Sequence, residues 1–322
     1  MPGRIKSGYT VDFFVESIIH GNGGHKTGCY GFDSTVGGIR PGEVTVLTGH
    51  SGEGKTTFAI NFAKWCLRSK LKVDYYAFEN TDQDMLENVI QCFYGIQIYN
   101  YATKEVQMSE EDLHRWWIEY NKDEDFQKLN FIDKQKKPSI NGYYSLKDLG
   151  EIIGDAKEDG VDVIIVDHLH YFVNTTDEKQ LAALDRAVRF ITEMAKSSNV
   201  HVLLVVHPTK PSVDSKGKMA DLNMYSGKGS SAITQEASNY LVVKRDYFEE
   251  YDKNSNACYR KEVMKVSVEK SRKFGGKEYF ILEVAKNRKT YYGDSLIKSK
   301  YDTAKNKTFT QEKPTKKKGW EF

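Results

Sequence analysis

The chain has no long apolar run. Its most hydrophobic stretches, such as VLLVV at 202–206, fall far short of the roughly 20 residues that cross a bilayer. The opening MPGRIKSGYTVDFFVE has no apolar signal core, and Asp12 and Glu16 are out of place in an organelle transit peptide. Cysteine is scarce: Cys29, Cys66, Cys92 and Cys258 are scattered without a CxxC pair, which excludes a disulfide frame and a zinc ribbon. These absences lead us to expect reduced thiols in a cytoplasmic setting (a host's cytoplasm for a viral chain). An excess of one charge is also missing. Net charge is +2, and the eight lysines of 298–322, set against Asp302, Glu312 and Glu321, give that tail +5, leaving −3 for the rest. A nucleic-acid site in the body must therefore be a local basic patch.

What is present is an alternation of β-rich and helical patterns. VTVLTG at 44–49 precedes a helical stretch after Lys55, and KVDYYAFE, LNFID, VDVIIVD, HVLLVVH and YLVVKRD follow at intervals. Such alternation predicts an α/β fold with a mostly parallel, doubly wound sheet. VMKVSVEK and KEYFILEVAKN flank Gly275-Gly276, predicting a C-terminal antiparallel hairpin. Ser109 with Asp112, and Ser145 with Asp148, mark two helix starts. After the first, Leu113, Trp116, Trp117 and Tyr120 share a face, read as core or subunit-contact packing. We expect three segments: an arm and linker over 1–36, with a short amphipathic helix at 10–20; an α/β domain over 37–297; and a disordered basic tail over 298–322.

Gly49-His50-Ser51-Gly52-Glu53-Gly54-Lys55-Thr56 fits GxxxxGK[ST], with Thr57 next. Its glycines let backbone N–H groups curl around phosphates, Lys55 reaches the β/γ oxygens, and Thr56 offers a hydroxyl to Mg²⁺. Asp167, ending VDVIIVD, is placed to hold Mg²⁺. Glu79, ending the run after the P-loop helix, is placed to orient or deprotonate an attacking water. A glutamate in that position points to the RecA-like branch of P-loop ATPases.

At this point the chain resembles the helicase domain of the Twinkle-like and DnaB-type replicative helicases, including those of phage primase-helicases. The segments GGIRPGEVTVLTGHSGEGKTTF, AFENTDQDMLENVIQCFYG, VDVIIVDHLHYF, HVLLVVHPTKP, GKGSSAITQEASNYLVVKRD and LEVAKNR follow the family's order from about Gly37 to Gly293. The resemblance implies an ATP-dependent (or other NTP- or dNTP-dependent) ring helicase, hexameric, moving 5′→3′ on single-stranded DNA and unwinding forked DNA. Its implied partners are primase, DNA polymerase and single-strand binding protein.

The resemblance also implies roles for single residues. His207 would sense the γ-phosphate, and Arg245 would pack near the base. Lys286 and Arg288 would reach into the neighbouring subunit's site, the helix at 10–20 would dock on the next subunit, and the 37–297 domain would be the helicase ATPase. Lys210, Lys216, Lys218 and Lys228 of the 208–228 loop would grip DNA. The spacing of KTYYGD departs from the family, so the base pocket beyond Gly293 is not aligned. The basic end at Phe322 offers at most a weak polymerase contact. His168 and His170 form an HxH pair; strand alternation would put both on one face beside the Mg²⁺ site, and zinc is not expected there. A RecA-type recombinase filament, or an ATPase that assembles without handling DNA, stays open as the alternative.

Overall fold

The computed structural model describes residues 24–131, 145–172, 177–208, 221–226, 230–252 and 257–293. Its frame is a nine-stranded sheet in the order β3-β2-β4-β5-β1-β6-β7-β8-β9. The strands are β1 (Val44–Thr48), β2 (Val73–Ala77), β3 (Leu129–Phe131), β4 (Val163–Asp167), β5 (His201–Val205), β6 (Asn239–Asp252), β7 (Ala257–Ser271), β8 (Glu278–Val284) and β9 (Tyr291–Tyr292). From β3 to β6 every pairing is parallel; from β6 to β9 every pairing is antiparallel. The four central strands β1, β2, β4 and β5 are buried along their whole length. That explains their continuous apolar reading, since helices cover both faces.

Side-chain alternation divides the core in two. Leu47, Tyr75, Val163, Ile165, Leu203 and Val205 face one layer, built with α1 (Tyr30–Thr35), α2 (Lys55–Arg68) and α3 (Asp82–Tyr94). Val44, Val46, Tyr76, Ile164, Val166, Val202 and Leu204 face the other, built with α5 (Leu146–Glu158) and α6 (Asp177–Ser198). Local signals set the helix ends. Thr81 and Asp84 form a reciprocal capping box on α3, Ser145 and Asp148 one on α5, and Gly95 ends α3 in the left-handed conformation at φ 69°. No helix among the described residues is long and apolar enough to cross a membrane.

Three expectations need correction. Residues 24–36, read as linker, belong to the packed body: Cys29, Phe32 and Val36 are fully buried, His25 bridges to Ile39, and the Tyr30 N–H donates to the Gly293 carbonyl. Glycine in this segment allows close approach: a Cβ on Gly24 would lie 2.5 Å from the Ile39 carbonyl oxygen. Helix α4 (Glu110–Lys122) buries no residue, so of the two readings of its tryptophans, core or subunit contact, the core one falls. Trp116 lies against Tyr94, while Trp117 stacks on Tyr120 and is 48% exposed. Finally, YLVVKRD is only the base of a far longer ribbon, in which β6 and β7 pair from Asn239–Ser271 out to Asp252–Ala257. The antiparallel Gly275–Gly276 hairpin between β7 and β8 is present as expected. The docking helix at 10–20 and the tail at 298–322 lie outside the described residues.

Candidate nucleotide site

The P-loop leaves the C-terminal end of β1 and turns into α2. Gly52 and Gly54 sit at φ 80° and 88°, a region that side chains rarely adopt. Gly54 is also tightly walled: a Cβ there would lie 2.8 Å from the Tyr291 hydroxyl and 3.1 Å from the Met264 methyl. Helix α2 begins without a side-chain cap, and its first intrahelical bond runs from the Phe58 N–H to the Gly54 carbonyl, 2.8 Å. The N–H groups of Lys55, Thr56 and Thr57 therefore have no intrahelical acceptor, the arrangement that binds phosphate. Lys55 is buried, its Nζ donating to the carbonyls of Gly49 (2.9 Å) and His50 (3.1 Å). Burial lowers its pKa, opposed by the charges of Asp167, Glu79 and Glu53. Thr57 is buried with its hydroxyl toward Tyr291, so only its backbone can serve the cradle.

Asp167 ends β4, two strands from β1. It is 1% exposed and accepts hydrogen bonds from the Thr56 hydroxyl and, at 3.0 Å, from the Tyr75 hydroxyl. Burial raises its pKa against those two bonds and the pull of Lys55. A carboxylate and a hydroxyl touching at the mouth of a phosphate cradle form the hard-oxygen donor set that Mg²⁺ prefers. The residues therefore fit that ion.

Glu79 follows β2, held beside β4 by the Phe78 N–H bond to the Asp167 carbonyl, 2.8 Å. It is half exposed, as a group meeting water should be. His207 leaves β5, which is tied to β1 through the Val206 N–H to the Leu47 carbonyl and the Thr48 hydroxyl to the Val206 carbonyl. Because β5 lies between β1 and β4, His207 reaches the space between cradle and carboxylates. His207 Nε2 stands 3.0 Å from His168 Nε2 and 3.9 Å from a Glu79 oxygen, and His168 Nε2 stands 3.5 Å from that oxygen. The HxH pair does not lie on a strand, since β4 stops at Asp167 and residues 169–172 form a 3-10 turn. The His170 ring lies 5.2 Å from that of His168 and 5.5 Å from that of His207. Burial, then the neighbouring His207 and His170 rings, push His168 down to about 3.

Arg245 on β6 meets the P-loop directly: its backbone N–H donates to Glu53, and its Nε lies 3.5 Å from the place of a Gly54 Cβ. Its guanidinium and that of Arg288 share one partner, Glu262 of β7, at 2.8 Å from Arg245 Nη1 and 2.8 Å from Arg288 Nε. Arg288 adopts φ 55° just past β8, with its side chain 45% exposed; Lys286 is exposed beside it. Glu262 and Tyr75 are neighbours that the sequence reading passed over, whereas His168, read there as half of an HxH pair, meets His207 and Glu79. Arg260 and Lys261 precede Glu262 and hide it among surface charges, whereas its bidentate grip on Arg288 is visible only across strands. Lys210, Lys216, Lys218 and Lys228 fall outside the described residues.

Comparison with known proteins agrees with this geometry. Residues 24–293 match the family described as DnaB-like helicase C terminal domain. A DNA helicase/primase of Enterobacteria phage T3 is 22% identical over 225 residues, covering 68% of this chain. The aligned part is 38% of that relative, so the chain spans about two-fifths of its length. Among solved structures, an isolated ATPase domain superposes with TM-score 0.67 at 16% identity, over 86% of this chain and 95% of that one. A DnaB-like replicative helicase, solved with attention to its interactions with primase, superposes with TM-score 0.68 at 16% identity, over 90% and 67%. The fold is thus the RecA-like one of DnaB-type ATPase domains. With its P-loop, acidic strand ends and sheet order all in place, the chain belongs to the DnaB-like helicase C-terminal domain family.

Proposed function

We propose that this protein is the motor of a replicative DNA helicase, a ring of six copies that couples ATP hydrolysis to movement on single-stranded DNA. The observation that carries this reading is the convergence of Lys55, Thr56, Asp167, Glu79 and His207 at the ends of adjacent strands. Lys55 would leave the Gly49 and His50 carbonyls for the β/γ oxygens, and the first-turn N–H groups of α2 would receive the phosphates. Thr56 and Asp167 would hold Mg²⁺, which when bound neutralises charge on the terminal phosphates. Glu79, half exposed, orients the attacking water and takes up its proton. His207, at the end of the strand joining cradle to Asp167, is placed to register the terminal phosphate.

Charge spreading on the γ-phosphoryl calls for a further cation beside Lys55. Arg288 and Lys286 lie in the turn between β8 and β9, with Arg288 held by Glu262. Such a pair suits a neighbour's site in a head-to-tail ring, and a guanidinium supplied in trans accelerates hydrolysis by about 10³–10⁵. Arg245, packed against the P-loop, would border the base. The 208–228 segment, with Lys210, Lys216, Lys218 and Lys228, would line the channel and contact DNA phosphates. Residues 10–20 would dock on the adjacent copy. Travel from 5′ to 3′, and contacts with primase, polymerase or single-strand binding protein, are proposed on the family alone.

The test is unwinding of a forked duplex carrying a 5′ or a 3′ tail, with particle mass measured in the presence of nucleotide. Nucleotide-dependent rings that unwind only the 5′-tailed fork are expected. Open filaments on DNA without unwinding would instead favour a RecA-type recombinase.

A further inference from the structure

Glu79, His168 and His207 come from three different strand ends, yet their ligand-type atoms meet at one point. The separations are 3.0 Å between the two Nε2 atoms, and 3.5 and 3.9 Å from those nitrogens to the glutamate oxygen. The circle through three points so spaced has a radius of about 2.0 Å, the bond length of zinc to imidazole nitrogen and carboxylate oxygen. Two imidazoles and one carboxylate also form a donor set that favours a transition ion over Mg²⁺, whose oxygen ligands lie next door at Thr56 and Asp167.

We propose that Glu79, His168 and His207 form a binding site for a divalent transition metal ion, zinc by preference, which switches the ATPase off by taking the Glu79 carboxylate. The regulatory half rests on the reading of Glu79 as the group that activates water; the binding half does not. His168 is the fixed ligand, only 9% exposed and packed against His207 with ring centroids 4.1 Å apart. His207 and Glu79, at 34% and 49%, are the accessible ones, so an ion can enter from solvent and meet the buried ring last. A carboxylate supplies the negative charge such a site needs, and Asp167 lies close enough to offset the repulsion from Lys55. Ligation through Nε2 moves the His168 ring proton to Nδ1 and gives up the 3.3 Å approach of the His170 backbone N–H. That distance is long enough for a small ring rotation to relieve. The sequence placed His168 with His170 as the pair to consider; the three-dimensional partners are His207 and Glu79.

The probe is Co²⁺, titrated into the nucleotide-free protein without Mg²⁺ and followed by its visible absorption, with Zn²⁺ added to displace it. One equivalent per chain is expected. His168→Ala and His207→Ala should each weaken binding at least tenfold, while Asp167→Asn, which removes only a neighbouring charge, weakens it less than either. His207→Ala, altering a half-buried ring, guards against a folding defect in the His168 variant, and both are checked by circular dichroism. Binding indifferent to both histidine changes, absent altogether, or abolished only in Asp167→Asn would overturn the site. In parallel, micromolar Zn²⁺ should suppress hydrolysis in excess Mg²⁺ and ATP, and chelation should restore it. Co²⁺ held by both histidines with hydrolysis undiminished would keep the site and overturn its regulatory role together with the assignment of Glu79.

Discussion

Replacing Arg288 with alanine separates a catalytic role from a structural one, because the two roles differ greatly in size. Structurally, the side chain is 45% exposed and makes one ion pair, to Glu262. An exposed pair of this kind contributes about 0–1 kcal/mol. Glu262 does not become an orphaned charge either, since Arg245 still meets it at 2.8 Å. The melting temperature should therefore fall by no more than about 2–4 °C. Catalytically, a guanidinium offered to a neighbour's γ-phosphoryl accounts for about 10³–10⁵ in rate, or about 4–7 kcal/mol of barrier. The assay is phosphate release with saturating single-stranded DNA, beside nucleotide affinity and thermal melting on the same preparation. Turnover should collapse while binding and melting hold. Turnover within a few-fold of the parent, with a clear drop in melting temperature, would make Arg288 a structural partner of Glu262 and refute the reasoning.

Other consequences can be checked separately. Alanine at Lys210, Lys216, Lys218 or Lys228 should weaken single-strand binding and flatten its logarithmic salt dependence by about 0.7 for each phosphate the variant no longer reaches; an unaltered slope places the DNA elsewhere. Removing residues 1–23 should convert nucleotide-bound rings into smaller species by light scattering, and intact rings would exclude the arm as their tie. His201 is fully buried, its Nδ1 donating to the Arg40 carbonyl, and burial lowers it to about 4 from 6.5. The unfolded chain thus binds the extra proton first, so stability should be full above pH 6.5. It should fall by about 3 kcal/mol as pH drops toward 4. Urea titrations across that range should show the loss, and His201→Leu should remove much of its pH dependence; an unchanged profile would assign the loss to other groups.

Much of the candidate site's placement was legible because its parts lie in single contiguous segments. A glycine-rich loop, its lysine and its threonine occupy eight consecutive positions, and Glu79 and Asp167 each close a run of buried strand residues. The parallel order of β1, β2, β4 and β5 was legible for the same reason: strands covered on both faces spell themselves as unbroken apolar runs. The long β6–β7 ribbon was not, because beyond Arg245 its sequence mixes charged and aromatic residues without a regular period, such as Arg260 over the Tyr247 ring. The arm-and-linker reading of 1–36 failed over 24–36, where Gly24 and Gly31 serve close packing and not flexibility. The tryptophans of α4 left core and subunit contact both open, and the exposure of Trp117 removes the first. Hardest to foresee were meetings set by strand order alone. Glu262 joins Arg245 to Arg288 across three strands, and His168 meets His207 only because β4 and β5 are neighbours.

The central claim is that each catalytic pocket is completed by the adjacent copy. Mixing two inactive proteins tests it: Lys55→Ala, which keeps Arg288, and Arg288→Ala, which keeps the phosphate cradle. If the arginine acts across a head-to-tail interface, random co-assembly at equal amounts completes about one interface in four. DNA-stimulated hydrolysis should then rise toward about a quarter of the parent's. A mixture that forms rings and binds nucleotide, yet hydrolyses no faster than its two components alone, would contradict the account.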